Sequence, residues 1–204
     1  MIDVFPLFAS PLAEIRVKEN LDYIMEYANK EEFALGYQSA NNGSLCSKNR
    51  RIVEEYSDIK TLLKDYFYKF SQEFLRYDGE FEITTSWFSK VERGGCQFHF
   101  HKNSFYSGVL YFGDYDNKNG GQIQFNNPLA QFTDYTIIPR DYYIGNCNEY
   151  SVYPIKNLLL LFPSYLSHRI GDYKGKTPRY SLAFNVVPIG EYGQSDSTYN
   201  TEWI

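Results

Sequence analysis

The second half of the chain reads as a succession of short strands, and this feature restricts the possible folds more than any other. Strand-like segments occur at 81–91, 107–112, 122–125, 157–162 and 179–187. Apolar and polar residues alternate in several of them, which is typical of strands with one buried face. Turns rich in Gly, Asn, Asp or Pro separate the segments about every dozen residues, as in a jelly-roll double sheet.

The first 78 residues show helical as well as strand patterns. We predict an opening strand at 2–12, which Leu12, Ile15 and Val17 could continue, a helix at 20–35, a polar loop at 39–47 and a second helix at 52–76. Apolar residues in the second helix recur at intervals of three and four, which predicts a wide apolar face that packs on a large surface. The sequence therefore predicts a mainly β fold with a jelly-roll, cupin-like core and N-terminal helices packed on one sheet.

The length of 204 residues suffices for one domain with a full core, and no internal repeat or linker divides the chain. We predict a single domain at 1–204. Within it, 1–78 form the opening strand and supporting helices, 79–190 form the β core, and 191–204 form a loose polar tail.

Composition argues against several classes of partner. A net charge of −5 does not suit a nucleic-acid-binding protein, which needs a clustered positive face. No apolar run approaches the roughly 20 residues of a membrane span, and the first residues lack the basic region of a secretory signal. The three cysteines, Cys46, Cys96 and Cys147, are too far apart for a zinc motif or a disulfide framework. We therefore expect a reducing, cytoplasmic location.

All three histidines of the chain are available to one site. His99 and His101 are one residue apart on a predicted strand, so they share a face with Cα atoms about 6.5–7 Å apart. His168 lies in a second strand-like segment. Imidazoles in this arrangement can converge on one cation at about 2.0–2.2 Å, and we predict a metal site.

Five motifs in a fixed order surround these histidines. They are His99-x-His101, Ser-Gly-Val-Leu-Tyr at 107–111, Gly-Gly-Gln-Ile-Gln-Phe at 120–125, Leu-Phe-Pro-Ser-x-x-x-His at 161–168 and Pro-Arg-Tyr-Ser-Leu-Ala-Phe-Asn at 178–185. This order resembles the 2-oxoglutarate/Fe(II)-dependent oxygenases, in particular the group whose histidine pair precedes a Ser-Gly-Val-x-Tyr strand. The resemblance implies a double-stranded β-helix and a dioxygenase that uses Fe(II) and O₂. Such an enzyme converts 2-oxoglutarate to succinate and CO₂ while it hydroxylates a second substrate.

The resemblance also implies the metal ligands, with one departure. His99 would be the first iron ligand and His168 the last, whereas most such enzymes have Asp or Glu at the position of His101. Three imidazoles would leave the metal site one unit more positive than the usual triad of two histidines and a carboxylate. Either His101 ligates the metal or a carboxylate from elsewhere completes the site. Asp114 and Asp116 are candidates, although a solvated turn suits them better.

Cosubstrate-binding residues follow from the same resemblance. Arg179 stands where the family binds the far carboxylate of 2-oxoglutarate, and a guanidinium can grip a carboxylate with two parallel hydrogen bonds. Ser181 would share its face and donate a third hydrogen bond. Tyr111 stands where a hydroxyl often reaches the cosubstrate, although core packing is the competing interpretation. Asn185 shares the face of Arg179 and Ser181 by parity.

Two other functions stay open at this point. A three-histidine dioxygenase would use His99, His101 and His168 without 2-oxoglutarate. A non-catalytic jelly-roll module could retain a metal, for example zinc, for stability. The sequence does not determine whether the substrate is a small molecule, a peptide or a protein, nor whether the chain forms a homodimer. Trp87, Phe88 and the Tyr-rich segment 129–153 could shape a substrate pocket or pack as core aromatics, and the sequence does not decide between the two.

Overall fold

The computed structural model describes residues 7–40, 43–130 and 138–201, together with residues 2, 3 and 5. Within these residues, three helices precede most of the strands, and a π-helical turn at Ser71–Leu75 follows the last helix. In chain order the elements are β1 (Ala13–Arg16), α1 (Tyr23–Ala28), β2 (Phe33–Leu35), β3 (Ser39–Ala40), β4 (Ser44–Ser47), α2 (Ile52–Glu55), α3 (Ser57–Phe70), β5 (Glu80–Val91), β6 (Gly95–Cys96), β7 (Tyr106–Tyr111), β8 (Ile123–Asn126), β9 (Glu149–Val152), β10 (Leu158–Pro163), β11 (His168–Ile170), β12 (Arg179–Tyr192) and β13 (Tyr199–Thr201).

Antiparallel pairing organises the strands into a large sheet and a small one. The large sheet has the order β1-β10-β7-β12-β5-β4-β2, and β13 pairs with the far end of β12. The small sheet has the order β11-β8-β9, and β3 pairs with β6 as a separate two-stranded ribbon. Two sheets with crossing connections are the jelly-roll arrangement that the sequence predicts, so this prediction is confirmed.

Two apolar clusters define three layers. The larger cluster joins the helices to the outer face of the large sheet, where Ile59, Leu63 and Phe67 of α3 pack with Leu110 and Phe184. A smaller cluster lies between the two sheets and consists of Tyr111, Ile123, Phe125, Val152, Leu158, Leu160, Phe162 and Leu166. Each fully buried large side chain contributes about 1.5–3 kcal/mol relative to an exposed one. The layers therefore run from helices to large sheet to small sheet.

The predicted helix at 52–76 is largely confirmed, but it is divided. Tyr56 leaves helical geometry with φ −115° and ψ 85°, and its ring stacks on Tyr27 with 4.0 Å between ring centroids. The helix ends when Arg76 adopts φ 58° and its N–H donates to the Ser71 carbonyl at 2.7 Å. A residue in the left-handed conformation is a common way for a helix to end. Here that residue is Arg76, three residues before Gly79.

The predicted helix at 20–35 and loop at 39–47 are partly wrong. The helix covers only α1, and Phe33–Leu35 instead forms β2, which pairs with β4. Strand β4 also pairs with β5 on its other side, so its polar residues belong to a continuous hydrogen-bonded ladder. Ladder pairing and burial outweigh the polar composition that indicated a loop.

Two terminal predictions also differ from the structure. The opening strand covers Ala13–Arg16, within the predicted continuation, and in the described residues of 2–12 no strand is present. Pro11 cannot donate to a ladder, which favours a start beyond it. The tail is not loose throughout, because β13 pairs Tyr199 with Tyr192 and Thr201 with Gly190. Within the described ranges, no helix has the length and apolar character needed to cross a membrane.

Candidate active site

The three histidines converge, as predicted, although the local structure differs from the predicted strand. Residues 97–101 are extended but irregular, and His99 alone forms a bridge, with His168. Each of these two residues donates its backbone N–H to the carbonyl of the other, at 3.0 and 2.8 Å. The His101 N–H donates to the Ser164 carbonyl at 3.0 Å. These bonds bring one ligand atom of each imidazole within 4.8 Å of the others.

Backbone carbonyls fix which ring nitrogen is free in two of the three imidazoles. Nδ1 of His99 lies 2.9 Å from the Gln97 carbonyl, and Nδ1 of His168 lies 2.8 Å from the Leu166 carbonyl. A carbonyl can only accept, so Nδ1 carries the proton in both rings and donates it. Nε2 is therefore left with its lone pair, which is the form of histidine that binds a metal.

Burial keeps all three imidazoles neutral. Burial is the larger cause and electrostatic interaction with His99 the smaller one, and together they lower the pKa of His168 to about 3 and that of His101 to about 4. The pKa of His99 is also lowered by burial, partly opposed by the Gln97 carbonyl. Neutral imidazoles do not have to lose a proton before they bind a cation at neutral pH.

Carboxylates do not take part in this cluster. Among the described residues, the side chains placed to hold one ion together are His99, His101 and His168. Asp114 is 92% exposed in its side chain and lies 3.4 Å from the Lys156 amine. Asp116 accepts from the Lys118 N–H at 3.0 Å and closes a surface turn. Both acidic candidates therefore belong to the solvated turn that the sequence favoured for them.

Arg179 is a buried cation with free donors. It is 1% exposed, and its Nη2 donates to the Tyr111 hydroxyl at 3.1 Å. Nε and Nη1 are buried without a hydrogen-bond partner, and in the described part of the chain Arg179 takes part in no ion pair. A buried charge without a counterion is costly, so this arrangement indicates a site for an anion.

Neighbouring strands place the remaining predicted residues beside Arg179. On β12, Arg179, Ser181, Ala183 and Asn185 face the interior between the sheets, because alternate residues of a strand share a face. The Ser181 hydroxyl makes no hydrogen bond within the described residues, and Ser181 is 2% exposed. Tyr111 is fully buried, and burial raises the pKa of its hydroxyl, which therefore stays protonated.

Asn185 has partners of its own. Its Oδ1 accepts from the Ser107 hydroxyl at 2.8 Å, and its Nδ2 donates to the Thr85 hydroxyl at 2.8 Å. Ser107 also lies 2.8 Å from the Ser164 hydroxyl. This chain of hydrogen bonds ties β5, β12, β7 and the turn after β10 together beneath the histidines.

One cavity of about 370 Å³ contains the histidines and the arginine. Its deep wall is apolar where Val109, Ile123 and Phe162 line it, and polar at Ser181 and Arg179. Trp87 lines the same cavity, whereas Phe88 is fully buried on the opposite face of β5 in the helix-side cluster. The residues of 129–153 do not line it in the described ranges, and 131–137 of that segment lie outside them.

The pairing of β5 with β12 places Trp87 in the cavity wall. In the register of the large sheet, Ser89, Trp87 and Thr85 lie opposite Ser181, Ala183 and Asn185. Once Arg179, Ser181 and Asn185 are placed on one face, antiparallel pairing with 81–91 puts Trp87 on that face as well. The missing information was the register between the two strands, which the sequence alone does not give.

Comparison with known proteins assigns a class to this fold and site. Residues 85–185 match the family model described as "Putative 2OG-Fe(II) oxygenase". The matched segment contains all three histidines and Arg179. No curated protein sequence matches the chain significantly.

Solved structures share the fold at low sequence identity. HygX from Streptomyces hygroscopicus, with nickel and 2-oxoglutarate bound, has a TM-score of 0.60 and 9% identity, over 88% of this chain and 83% of that one. A Pseudomonas putida prolyl-4-hydroxylase has a TM-score of 0.56 and 16% identity, over 88% and 94%. The viral collagen prolyl hydroxylase vCPH from Paramecium Bursaria Chlorella virus-1 has a TM-score of 0.53 and 8% identity, over 86% and 94%.

The fold is thus a double-stranded β-helix of the oxygenase type. The chain belongs to the 2-oxoglutarate- and Fe(II)-dependent oxygenase family. It is an oxidoreductase whose cofactor is Fe(II) and whose cosubstrates are 2-oxoglutarate and O₂.

Proposed function

We propose that this oxygenase is a hydroxylase in which His99, His101 and His168 bind Fe(II) and Arg179 binds the distal carboxylate of 2-oxoglutarate. One observation carries the proposal. A buried guanidinium with two unpartnered donor atoms shares a cavity with three converging, neutral imidazoles. A dicarboxylate that reaches from the metal to Arg179 would satisfy both features at once.

The residues fit a metal of this kind. Three imidazole nitrogens are suitable ligands for Fe(II), and two of them present Nε2 because Nδ1 is held by a carbonyl. Three protein ligands leave coordination positions for the cosubstrate and oxygen. Fe(II) supplies the oxygen-activating chemistry when it is bound together with 2-oxoglutarate.

The protein binds and orients the cosubstrate. Arg179 would donate to the distal carboxylate from one of its two unpartnered nitrogens, Nε or Nη1, while Nη2 stays on the Tyr111 hydroxyl, which orients the guanidinium. The Ser181 hydroxyl would donate to the same carboxylate. Val109, Ile123 and Phe162 exclude water from the middle of the cavity, which strengthens these charge-assisted hydrogen bonds.

Succinate formation from 2-oxoglutarate tests this assignment. We expect the purified protein to release succinate only with Fe(II), and Arg179→Gln to raise the Kd for 2-oxoglutarate at least tenfold in calorimetry of the Ni(II)-loaded protein. Tyr111→Phe should weaken binding less, since it removes only the group that orients Arg179. His168→Ala should abolish turnover because it removes a metal ligand.

Arg169→Gln is the matched control. Arg169 is a nearby arginine whose Nε donates to the Gln124 side chain and whose guanidinium lies over Phe98, outside the cavity. Unchanged affinity for 2-oxoglutarate in Arg179→Gln, or equal losses in Arg169→Gln and Arg179→Gln, would overturn the role of Arg179.

The all-histidine ligand set favours one alternative, a dioxygenase that does not use 2-oxoglutarate in the reaction. The family assignment and the free donors of Arg179 argue against it. Oxygen consumption that continues at the same rate without 2-oxoglutarate would select the alternative. The cytoplasmic location stays a prediction from the sequence, which leaves the hydroxylated substrate and the formation of a homodimer open.

A further inference from the structure

The mouth of the cavity carries a second cation, Arg50. This residue is exposed and lines the cavity, and its guanidinium carbon lies 6.0 Å from the centre of the Trp87 ring. Trp87 in turn lies 5.8 Å from the His101 ring, measured between ring centroids. One aromatic side chain therefore separates Arg50 from the metal-binding histidines.

The backbone that carries Arg50 is fixed. Its carbonyl accepts from the Ser86 N–H of β5 at 2.9 Å, and the preceding Asn49 carbonyl accepts from the Ser47 hydroxyl at 2.7 Å. The Asn49 side chain also accepts from the Arg51 N–H at 2.8 Å. A turn held at three points presents its side chain at a defined place, as a binding residue requires.

Arg50 has no carboxylate partner in the described part of the chain, where its side chain contacts the Trp87 ring. None of the described residues that line the cavity is acidic, although the chain as a whole has a net charge of −5. A cavity with one sign of charge concentrates ligands of the opposite sign.

The charge balance leaves a positive excess for the substrate. On the proposed function, the two charges of Fe(II) balance the two charges of 2-oxoglutarate, and the three imidazoles are neutral. A ligand set with a carboxylate would have cancelled the positive charge of Arg179, but this one does not. Metal, cosubstrate, Arg179 and Arg50 together therefore keep a net positive charge, and Arg50 is the cation of this group that faces no anion.

We propose that the primary substrate is a small anionic molecule whose carboxylate or phosphate group binds Arg50 and whose planar part packs on Trp87. This inference rests on the proposed function, since it places the substrate beside the bound metal. The cavity volume of about 370 Å³ lies at the small end of ligand pockets and also has to hold 2-oxoglutarate. Tyr37 and Phe100 line the rim and are 96% and 50% exposed, which provides further aromatic surface for a flat ligand.

Three probes of similar shape test the proposal: phenylacetate, phenyl phosphate and the neutral benzyl alcohol. Each is titrated into the Ni(II)-loaded protein at saturating 2-oxoglutarate, so that Arg179 is already occupied, and binding is followed by calorimetry. We expect phenylacetate or phenyl phosphate to bind at least tenfold more tightly than benzyl alcohol, and the tighter of the two identifies the anionic group. Equal affinities, or no binding of the charged probes at millimolar concentration, would overturn the proposal.

Paired variants locate the effect. Arg50→Gln should remove the preference for the charged probes, because one charge-assisted contact is lost. Arg51→Gln is the control, since Arg51 is the next residue, is also exposed and does not line the cavity. Retention of the preference in Arg50→Gln, or equal losses in both variants, would contradict a role for Arg50.

The substrate proposal and the proposed function fail in different ways. If 2-oxoglutarate and Ni(II) bind but charge has no influence on probe affinity, the substrate inference is wrong and the oxygenase site stands. If 2-oxoglutarate does not bind to the metal-loaded protein, the proposed function itself is wrong. If acidic peptides bind and all three small probes do not, the substrate is a macromolecule and the small-molecule proposal is overturned.

Discussion

His101 is the residue that distinguishes the proposed metal site from the usual triad of two histidines and one carboxylate. Its backbone is held by the Ser164 carbonyl, and its ring lies 5.3 Å from His99 and 5.2 Å from His168, measured between ring centroids. If all three histidines bind Fe(II), as we propose, three neutral ligands would leave the site one unit more positive than a triad with a carboxylate. The identity of residue 101 would then contribute to the charge of the cavity.

We predict that His101→Asp retains Fe(II) binding, whereas His101→Ala raises the Kd for Fe(II) at least tenfold. Asp restores the common ligand set, while Ala leaves only two ligands. Anaerobic calorimetry with Fe(II) measures both constants. Binding by His101→Ala that equals binding by the unsubstituted protein would show that the third imidazole is not a ligand.

At the residue scale, the sequence predicts which residues form the site better than it predicts which residues surround them. The three histidines could be grouped because the chain has no others, and the structure places them together. Arg50 and Trp87 could not be placed at the cavity mouth, because they lie 49 and 12 residues before His99 and only the pairing of β5 brings them there. The pairing register of the strands determines which distant segments lie side by side, and composition does not reveal that register.

Strands β7 and β12 show how one element serves two layers. Their alternate residues face the helices and the cavity, so Gly108 faces Phe184 while its neighbours Ser107 and Val109 line the cavity. A Cβ at Gly108 would lie 2.2 Å from the Phe184 ring. The glycine is required by this close approach and not by its backbone angles.

Gly108→Ala should therefore destabilise the fold by about 1–3 kcal/mol, the usual cost of an overpacked core. Urea denaturation followed by circular dichroism measures the change. Gly79→Ala serves as the control, since a Cβ there meets no atom within 4 Å. Equal stability of the two variants would show that Phe184 moves aside without cost.

A small charge network joins α3 to β5. Lys64 and Lys60 lie 3.0 and 3.2 Å from the Glu82 carboxylate. Burial alone would raise the pKa of Glu82, but hydrogen bonds from Lys64, the Ile83 N–H and Lys60 outweigh it and lower the pKa below 4.5. Glu82 therefore binds a proton less readily in the folded chain than in the unfolded chain.

The pH dependence of stability follows from that direction. The contribution of Glu82 is complete above its unfolded pKa of about 4.5 and is lost as the pH falls through the lower folded value. Glu82→Gln should cost about 1 kcal/mol at neutral pH, with a difference that shrinks in acid. Glu80→Gln, at an exposed position of the same strand, is the control. A difference that is constant from neutral pH to pH 3 would contradict this account.

Element prediction succeeded where periodicity was long and failed where pairing decided the outcome. The helix at 52–76 and the strands after Gly79 have patterns that burial on one face explains. The short strands β2 and β4 lack such a pattern. Ser47 of β4 is a buried polar residue held by hydrogen bonds, since its hydroxyl accepts from the Phe88 N–H at 3.1 Å and donates to the Asn49 carbonyl at 2.7 Å. Such strands become visible only when their partners are known.

At the scale of the molecule, the histidine cluster is a junction between segments that are distant in sequence. The irregular segment 97–101 and β11 meet through the bridge between His99 and His168. A metal bound to all three histidines adds a link that the unfolded chain cannot form. Metal binding is therefore expected to be coupled to global stability.

Addition of Ni(II) at about 100 times its Kd should stabilise the folded protein by about 2.7 kcal/mol, as mass action requires. Thermal denaturation with and without Ni(II), and after removal by a chelator, measures the shift in Tm. His168→Ala should show little or no shift. A Tm that does not respond to metal in the unsubstituted protein would contradict the three-histidine site.

The separation of the two faces of the large sheet has a consequence for engineering. Positions 85, 87 and 183 touch the cavity, while their sequence neighbours Phe88 and Leu182 belong to the helix-side core. A mutant library confined to the first set changes the shape and charge that an incoming compound meets without altering the packing that keeps the chain folded. New specificities can thus be selected on this scaffold while its thermal tolerance is preserved.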